Sequence, residues 1–507
     1  MREDVAAGRP ANIIGIRLGT TKTMVARLNE NGKPEATYNI DGNPITPSVV
    51  MFDDKGDVVV GSEAKKFLGT GVSDVFAEFK RELGTGESWS ASGRRVTPVE
   101  LTELLLRKVV GDYAEQYGEP EVIVITWPAN FRNEQREATK EAAKRAGLKN
   151  VHYLDEPVAA ALFYGIDTYL DGKYVVYDFG GGTFDVTLIE AHGNRIEVIY
   201  QDGVQQLGGK DLDNALLKII GEKFREKTGH QFDAVECSFD KLALESNKHI
   251  LSVRPSVSIL LRSVKCGMVR IDVSRLEFES GINHLISQAE MACENVLRRG
   301  KDDPSQHIKM SDIKGILMAG DTSCVPAVQE SVSKLFGKKP QLKNPIQAIA
   351  FGAAIYAAHK ASNGTLNVLQ ARAVADVDIV LVAPHFVGTS VLEDDGSGVF
   401  NDTVIAKGTP LPCKVERTYY TTTHNQAVVN VDVTQSAIEE RDPAFVTKVW
   451  EGALQLPRGC PAGYPINVTF SCDINGTISV DVVTGGDQEG PGVNAKLIHP
   501  GPTPLEQ

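Results

Sequence analysis

Two distant segments of the chain follow the same pattern: an apolar β-rich run, a tight turn of glycine and threonine, and a second apolar run. The first spans Ile13–Ala26 with its turn at Gly19–Thr21, and the second spans Val175–Ile189 with its turn at Gly180–Thr183. The pattern predicts two β-hairpins whose tips can bind phosphate, because glycine lacks a Cβ atom and lets backbone amides approach anionic oxygens. Threonine hydroxyls add donors, so two facing tips would hold a polyphosphate from both sides. We therefore predict that the chain binds a nucleotide.

Each tip taken alone is equally compatible with an ordinary hairpin turn, since glycine is common in turns. The same order of residues occurring twice favours the phosphate interpretation. The sequence contains no Walker-type Gly-x4-Gly-Lys-Ser/Thr motif and no dinucleotide fingerprint at the start of a βαβ unit. The phosphate site is therefore predicted to be of the two-hairpin kind.

The overall composition limits the partners and the compartment. The 507 residues suffice for two or three domains, and the formal net charge of −13 argues against direct binding to nucleic acid, which needs clustered Lys and Arg. Seven cysteines, an odd number without Cys-x2-Cys spacing, argue against a disulfide framework and against a zinc site. We recognise no signal peptide and no membrane span, so we expect a cytoplasmic protein without a membrane partner.

The pattern of residues changes along the chain and predicts the domain organisation. Residues 12–361 alternate β-rich and helical runs, which is typical of an α/β domain. Residues 362–382 are predicted to be a linker. Residues 383–485 contain short alternating strands separated by turns, which favours a small antiparallel β-sandwich. The tail at 486–507 is rich in glycine and proline and is predicted to be disordered.

Individual elements can also be predicted. Glu121–Thr126 is a candidate buried strand, and Val428–Val433 and Ile466–Phe470 are the clearest strands of the sandwich. Helices are predicted at Pro326–Phe336 and at Gln347–Lys360, the second being rich in small residues. Duplication of the α/β units would place a cleft between two lobes.

Six further segments add to the two hairpin tips. They are Asp41–Val50, Phe79–Arg81, Thr126–Phe131, Gln135–Lys140, Asp155–Leu162 and Leu207–Asp213. Together with the tips they resemble the seventy-kilodalton heat-shock chaperones of the DnaK type, and the resemblance covers nearly the whole chain. It implies an actin-like two-lobed ATPase domain followed by a β-sandwich that holds extended peptides. The family also has a helical lid after the sandwich. The sequence stops near that point, so we expect a bound peptide to exchange quickly.

The resemblance also implies ATP or ADP with Mg²⁺ as cofactors and assigns the site residue by residue. The implied catalytic residues are Lys80, Glu156, Asp178 and Thr183, with Asp178 holding Mg²⁺ through water. The implied nucleotide contacts are Gly19, Thr20, Thr21, Lys22, Gly180, Gly181, Gly182, Thr183, Gly208, Gly209, Lys210, Glu245, Lys248, Ser252, Gly320 and Asp321. Without the motifs, the lysines and Glu245 would equally be solvated helix charges, and Glu156 would equally be a helix cap.

The chain departs from the family pattern at several of these positions. Arg17 stands where the family has an aspartate that helps to organise hydrated Mg²⁺. Lys210 replaces a glutamate, His249 replaces an arginine that stacks on the base, and Ala319–Pro326 is one residue longer than the family's Gly-Gly turn. Because Arg17 reverses a charge beside the metal, we expect weak ATP hydrolysis at most, while direct pairing of Arg17 with phosphate would preserve binding.

Two functions follow from this resemblance, and both stay open. The first is an ATP-binding chaperone that binds unfolded or nascent polypeptide, with weakened hydrolysis and with a J-domain protein and a nucleotide-exchange factor as partners. The alternative is a non-catalytic nucleotide-binding subunit that pairs with a J-protein at the ribosome, similar to the Ssz-type subfamily. A sugar kinase of the actin-like fold would explain the phosphate loops but leaves the β-sandwich unexplained.

Overall fold

The computed structural model describes residues 11–68, 72, 74–193, 195–234, 236–237, 239, 241–302, 308–361, 365–375, 377–393, 396–484 and 494–498. The chain divides into two compact units. The first contains the described residues up to Asn130, together with Thr139–Ile196 and Tyr200–Asp378. The second contains Phe131–Ala138, Glu197–Ile199 and the described residues from Ile379 onward.

The chain up to Val374 alternates strands and helices. The strands are β1 (Ile13–Arg17), β2 (Lys22–Leu28), β3 (Pro34–Ala36), β4 (Thr46–Pro47), β5 (Val49–Phe52), β6 (Val58–Val60), β7 (Val75–Ala77), β8 (Trp89–Ala91), β9 (Arg94–Val96), β10 (Val122–Trp127), β11 (Val151–Asp155), β12 (Asp171–Phe179), β13 (Phe184–His192), β14 (Arg195–Val204), β15 (Ser256–Ser263), β16 (Gly267–Ser274) and β17 (Ile313–Ala319). The α-helices are α1 (Ser62–Lys65), α2 (Pro98–Tyr117), α3 (Asn133–Arg145), α4 (Glu156–Asp167), α5 (Gly209–Thr228), α6 (Lys241–Val253), α7 (Arg275–Asp302), α8 (Pro326–Phe336), α9 (Ala348–Lys360) and α10 (Val368–Val374). Short 3-10 helices lie at Phe79–Glu82, Met310–Asp312 and Thr322–Cys324.

Two mixed sheets repeat one topology within the first unit. The first sheet has the order β11-β10-β1-β2-β3, and the second contains the order β17-β12-β13-β14. In the first sheet, β1 pairs antiparallel with β2 and parallel with β10. In the second sheet, β12 pairs antiparallel with β13 and parallel with β17. This duplication confirms the predicted α/β fold of the actin-like kind. It also places the two Gly/Thr tips at equivalent corners of the two sheets.

Small residues let helix α9 pack directly against strand β1 and helix α4. A Cβ atom on Gly15 of β1 would collide with the backbone of Ala353 and Ala354, and one on Gly352 would overlap the carbonyl of Ala159 in α4. All the residues of α9 from Ala348 to Ala358 are buried. Because backbones approach this closely, the position of β1, and hence of the first tip, is fixed by the core.

The second unit is a pair of antiparallel sheets. Its strands are β18 (Asp378–Val380, which begins in the first unit), β19 (Phe386–Leu392), β20 (Val399–Ile405), β21 (Cys413–Tyr420), β22 (Val428–Ser436), β23 (Thr447–Gln455), β24 (Pro465–Cys472), β25 (Ile478–Thr484) and β26 (Asn494–Ile498), with a 3-10 helix at Pro443–Phe445. The sheets have the orders β20-β19-β22-β23 and β21-β24-β25-β26. Every second residue of β24, including Val468 and Phe470, is buried, which is the alternation expected of a sandwich. The predicted β-domain is thus confirmed.

Most predicted elements agree with the structure to within a few residues. The helix at Pro326–Phe336 has the predicted bounds, and Gln347 caps α9 instead of forming its first turn. The strands predicted at Val428–Val433 and Ile466–Phe470 are longer than predicted at one or both ends.

Two stretches differ from the prediction. The stretch predicted as a linker, 362–382, contains α10, because Asn367 and Gln370 form a reciprocal capping box at its start. The tail predicted as disordered, 486–507, contains strand β26, because the edge of β25 offers backbone groups that pair with it from Val483 to Ser479. The rest of the tail lies outside the described residues. Among the helices of the described chain, none has the length and apolar composition that crossing a bilayer requires.

Candidate functional site

The two Gly/Thr tips contact one another. A Cβ atom on Gly181 would collide with the side chain of Thr21, and one on Gly182 would collide with the side chain of Thr20. Glycine is therefore required at both positions for the tips to approach this closely. The sequence predicted that the two tips face each other, and in the structure they do.

Both tips line one cavity of about 370 Å³ within the first unit. This volume is within the usual range for small-molecule sites. The predicted contacts that line it are Thr20, Thr21, Gly181, Gly209, Lys210, Glu245, Lys248 and Asp321. The structure thus gathers eight predicted residues from five separate parts of the chain around one space.

Lys80 and Glu156 form a buried ion pair beneath the tips. Lys80 lies in the 3-10 helix Phe79–Glu82, and its Nζ atom is 3.0 Å from Oε1 of Glu156, the first residue of α4. The same Nζ also donates a hydrogen bond to the carbonyl oxygen of Leu18, which precedes the first tip. Both charged side chains are only 5% exposed. A lysine held in this way is positioned by the chain rather than free in solvent.

Asp178 lies at the end of β12, directly below the second tip. It is opposite Asp185 in the β12–β13 ladder, and both residues are buried. Burial, reinforced by the charge of Glu156, raises the pKa of Asp178 to about 7, although Arg17 and Lys80 oppose the shift. Burial and the charge of Asp178 likewise raise the pKa of Asp185. The Oδ1 atom of Asp178 has no hydrogen-bond partner among the described residues, so it is available to a ligand.

Thr183 closes the second tip. Its carbonyl oxygen accepts a hydrogen bond from the backbone N–H of Gly180 at 3.1 Å, and the residue is 9% exposed. The hydroxyl of Thr322 donates to the carbonyl oxygen of Gly180 at 2.8 Å from the other side. The tip is therefore held in one conformation by contacts from within its own turn and from the turn after β17.

Arg17 is the last residue of β1 and is 6% exposed. A Cβ atom on Gly180 would lie 3.5 Å from Nη2 of Arg17, so the guanidinium is next to the second tip. The charge of Arg17 acts on both Asp178 and Asp321. The structure thus places a buried arginine beside the second tip.

Lys22 connects the first tip to two distant carboxylates. Its Nζ lies 2.7 Å from Oδ2 of Asp321 and 2.7 Å from Oε1 of Glu245, whose other oxygen pairs with Lys65 at 2.9 Å. Burial favours neutral Glu245, but Lys22 and Lys65 outweigh burial and lower its pKa to about 2. Glu245, Asp321 and His249 are close enough to share a metal ion. However, the ammonium of Lys22 already pairs with both carboxylates.

The loop before α5 is joined to the second tip by backbone hydrogen bonds. The N–H of Gly209 donates to Gly180 and the N–H of Lys210 donates to Gly181, each at 3.0 Å. Gly208 is required here because a Cβ atom would overlap the backbone of Gly181. Lys248 of α6 donates to the carbonyl oxygen of Gly209 at 2.8 Å. These bonds make α5, α6 and the second tip one connected wall of the cavity.

The turn after β17 packs under Asp178. Gly320 has φ +80°, and a Cβ atom there would collide with the carbonyl of Phe179 and approach Oδ1 of Asp178 to 2.7 Å. The next residue, Asp321, faces the cavity and binds Lys22. This turn therefore brings a carboxylate to the cavity wall.

Many residues singled out from the sequence are not among those that line the cavity, namely Arg17, Gly19, Lys22, Lys80, Glu156, Asp178, Gly180, Gly182, Thr183, Gly208, His249, Ser252 and Gly320. The hydroxyl of Ser252 donates to the carbonyl oxygen of Lys248 at 3.4 Å within α6. His249 is exposed as a whole residue, and partial desolvation of its ring together with the charges of Lys22 and Lys248 lowers its pKa. A ring nitrogen of His249 nevertheless lies within 4.8 Å of carboxylate oxygens of Glu245 and Asp321, which line the cavity.

Sequence reasoning missed several charged residues that hold the site. Arg81 Nη2 is 2.8 Å from both the carbonyl oxygen of Gly182 and Oδ2 of Asp211, and so joins the second tip to the start of α5. Three further residues pair with predicted ones, namely Lys65 with Glu245, Glu78 with Lys210 and Asp213 with Lys248. The only signal in the sequence is that Arg81, Asp211 and Asp213 lie inside the segments Phe79–Arg81 and Leu207–Asp213, beside predicted residues.

Comparison with known proteins agrees with this fold. A family model described as Hsp70 protein matches residues 13–92 and 86–496. The chaperone protein DnaK of Mycoplasmopsis pulmonis (strain UAB CTIP) is 34% identical over 505 residues, covering 94% of this chain and 78% of that protein. The predicted ATP-binding chaperone character is confirmed at the level of the family. This chain belongs to the Hsp70 family and is a chaperone of the DnaK type.

Proposed function

We propose that this chain binds ATP or ADP between its two Gly/Thr tips, binds unfolded or nascent polypeptide, and hydrolyses ATP weakly at most. The single observation that carries the weak hydrolysis is the buried guanidinium of Arg17, which lies beside the second tip and acts on Asp178. In the family this position carries an aspartate. A cation there changes the charge that surrounds the phosphates.

We propose nucleotide contacts from the residues that line the cavity. Thr20, Thr21 and Gly181 would contact the phosphates, since they belong to the two tips. Glu245 and Lys248 would contact the adenosine, since they line the same cavity from α6. Ser252 would act on the nucleotide only through the backbone of Lys248.

Magnesium was expected through a water-mediated contact with Asp178, and the charges argue against it. Asp178 Oδ1 is buried without a hydrogen-bond partner among the described residues, as is expected of a group that binds a ligand. However, Arg17 and Lys80 both act on this carboxylate, and Lys80 also neutralises Glu156. A divalent cation needs anionic oxygens and is repelled by two fixed positive charges. The described residues therefore do not fit a magnesium site.

Polypeptide would be held by the two antiparallel sheets of the second unit. We propose residues 12–361 as the nucleotide-binding domain, 362–382 as the linker and 383–485 as the peptide-binding domain. The resemblance supports a J-domain protein and a nucleotide-exchange factor as partners and a cytoplasmic location. Saturable binding of an unfolded fluorescent peptide tests the client role, and no binding at high peptide concentration would contradict it.

Single-turnover hydrolysis of bound ATP tests the catalytic part. We expect a rate near that of uncatalysed decay for the natural chain and a faster rate for Arg17→Asp, because a carboxylate at this position matches the family. The exposed Arg298→Asp, on α7, is the matched control and should not change the rate. Rapid hydrolysis by the natural chain would contradict the proposal of weakened hydrolysis.

A second candidate is a non-catalytic subunit that pairs with a J-protein at the ribosome, as in the Ssz-type subfamily. The ion pairs of Lys22 with Asp321 and Glu245 favour it, because they tie the first tip to the opposite wall and would retain a nucleotide without turnover. Co-purification with a stoichiometric J-protein and co-sedimentation with ribosomes test this candidate. Absence of both, together with peptide binding, would leave the first function.

A further inference from the structure

Arg17 presents a buried hydrogen-bond donor that the described chain does not satisfy. Its Nε atom has no hydrogen-bond partner among the described residues, although the residue is only 6% exposed. A buried donor without an acceptor is costly, so such a group indicates an acceptor that arrives with a ligand. The position is also fixed, since β1 is held by α9 on one side and by β2 and β10 in its sheet.

The ligand that fits this donor is a phosphate group. The guanidinium lies beside Gly180, in the tip whose glycines allow anionic oxygens to come close. Guanidinium and phosphate form paired, charge-assisted hydrogen bonds, which are stronger than neutral ones. A phosphate held between the tips would therefore satisfy the donor and neutralise the charge in one contact.

The same guanidinium changes the charge of the site. Three buried carboxylates, Glu156, Asp178 and Asp185, lie next to two buried cations, Lys80 and Arg17. Lys80 pairs with Glu156, and Arg17 acts on Asp178. Positive charge that a nucleotide usually receives from a divalent cation is here built into the chain.

We propose that this site binds the polyphosphate of an adenine nucleotide without a divalent cation, with Arg17 contacting phosphate in place of the metal. This inference rests on the nucleotide site of the proposed function. It adds that the nucleotide binds there free of metal. By thermodynamic linkage, a protein that excludes the metal from its bound nucleotide must bind the nucleotide more weakly when the metal is in excess.

Isothermal titration with ATP, in excess EDTA and in excess Mg²⁺, tests the inference directly on the full chain. We expect the natural chain to bind ATP at least about threefold more tightly in EDTA than in Mg²⁺. Equal dissociation constants in the two buffers would contradict exclusion of the metal. Arg17→Asp should bind at least about tenfold more weakly in EDTA and should regain affinity in Mg²⁺. Arg298→Asp, an exposed arginine of α7, should behave as the natural chain.

The outcomes separate the inference from the function on which it rests. Binding by the natural chain in Mg²⁺ but not in EDTA would overturn the inference and leave the proposed function intact. No binding in either buffer would overturn both. If Arg17→Asp does not fold, Arg17→Gln replaces it, and loss of binding in EDTA by that variant supports the role of the charge. Unchanged binding of Arg17→Gln in EDTA would contradict that role.

Discussion

The Nζ atom of Lys80 lies 3.0 Å from Oε1 of Glu156, and each side chain is only 5% exposed. Removing one member of such a pair leaves an uncompensated buried charge, which is more costly than removing both. The pair therefore stabilises the first unit only as long as both partners are present, and it also fixes the lysine beneath the tips.

We predict that Lys80→Met lowers the free energy of unfolding of the first unit by about 3–5 kcal/mol. Adding Glu156→Gln should recover a large part of this loss, because the buried charge is then gone. Urea unfolding of both variants measures the effect. Arg145→Met, which breaks an exposed pair with Glu141, should cost less than about 1 kcal/mol. A loss from Lys80→Met as small as that of the control would contradict the prediction.

The parts of the fold that the sequence predicted are those with local signals. Helix α8 could be placed from Pro326 at its first position and from Gly337, which adopts the left-handed conformation after its end. The two hairpin tips could be recognised because strand, turn and strand are adjacent in the chain. Strand β26 could not be predicted, because it depends on the edge of β25 rather than on its own composition.

The candidate site also has a part that could be predicted from local motifs and a part that could not. Motif positions such as Thr20 and Gly181 line one cavity. The ion pairs that hold them, for example Arg81 with Asp211, join residues far apart in sequence, so they depend on tertiary packing. Ser252 was proposed from the family resemblance, and in the structure its hydroxyl bonds to the carbonyl oxygen of Lys248 and does not line the cavity.

Lys22 gives a prediction about nucleotide release. Its two ion pairs of 2.7 Å join the first tip to Asp321 and to Glu245, and the three side chains are 14–25% exposed. Lys22→Met should speed the release of a fluorescent adenine nucleotide about tenfold, which corresponds to about 1.4 kcal/mol. Stopped-flow displacement measures the rate. Lys66→Met, at an exposed pair with Glu63, is the control and should leave release unchanged. An unchanged rate in Lys22→Met would show that these pairs do not retain the nucleotide.

The pKa of Asp178, raised to about 7, predicts a dependence of stability on pH. A carboxyl group whose pKa is higher in the folded state contributes stability below its unfolded value, near 3.9, and loses that contribution as the pH rises through about 7. Asp178→Asn removes the ionisable group. The stability of the variant relative to the natural chain should therefore be greater at pH 8 than at pH 5, by about 2–3 kcal/mol.

Urea unfolding of the nucleotide-free protein at both pH values measures this difference. The exposed Asp54→Asn serves as the control and should change stability by the same small amount at the two pH values. An advantage of Asp178→Asn that grows towards low pH would contradict the direction of the shift.

The contact between the tips gives the last prediction. A Cβ atom on Gly181 would collide with the side chain of Thr21, so Gly181→Ala must push the two tips apart. We expect nucleotide affinity to fall at least about tenfold, as measured by isothermal titration in EDTA and in Mg²⁺. Adding Thr21→Ala should restore part of the affinity, because it removes the atoms that collide. Gly111→Ala is the matched control: it lies in helix α2 with open space around it, and it should leave binding unchanged while raising stability by about 0.5–1 kcal/mol. Full affinity in Gly181→Ala would mean that the nucleotide does not depend on close approach of the tips.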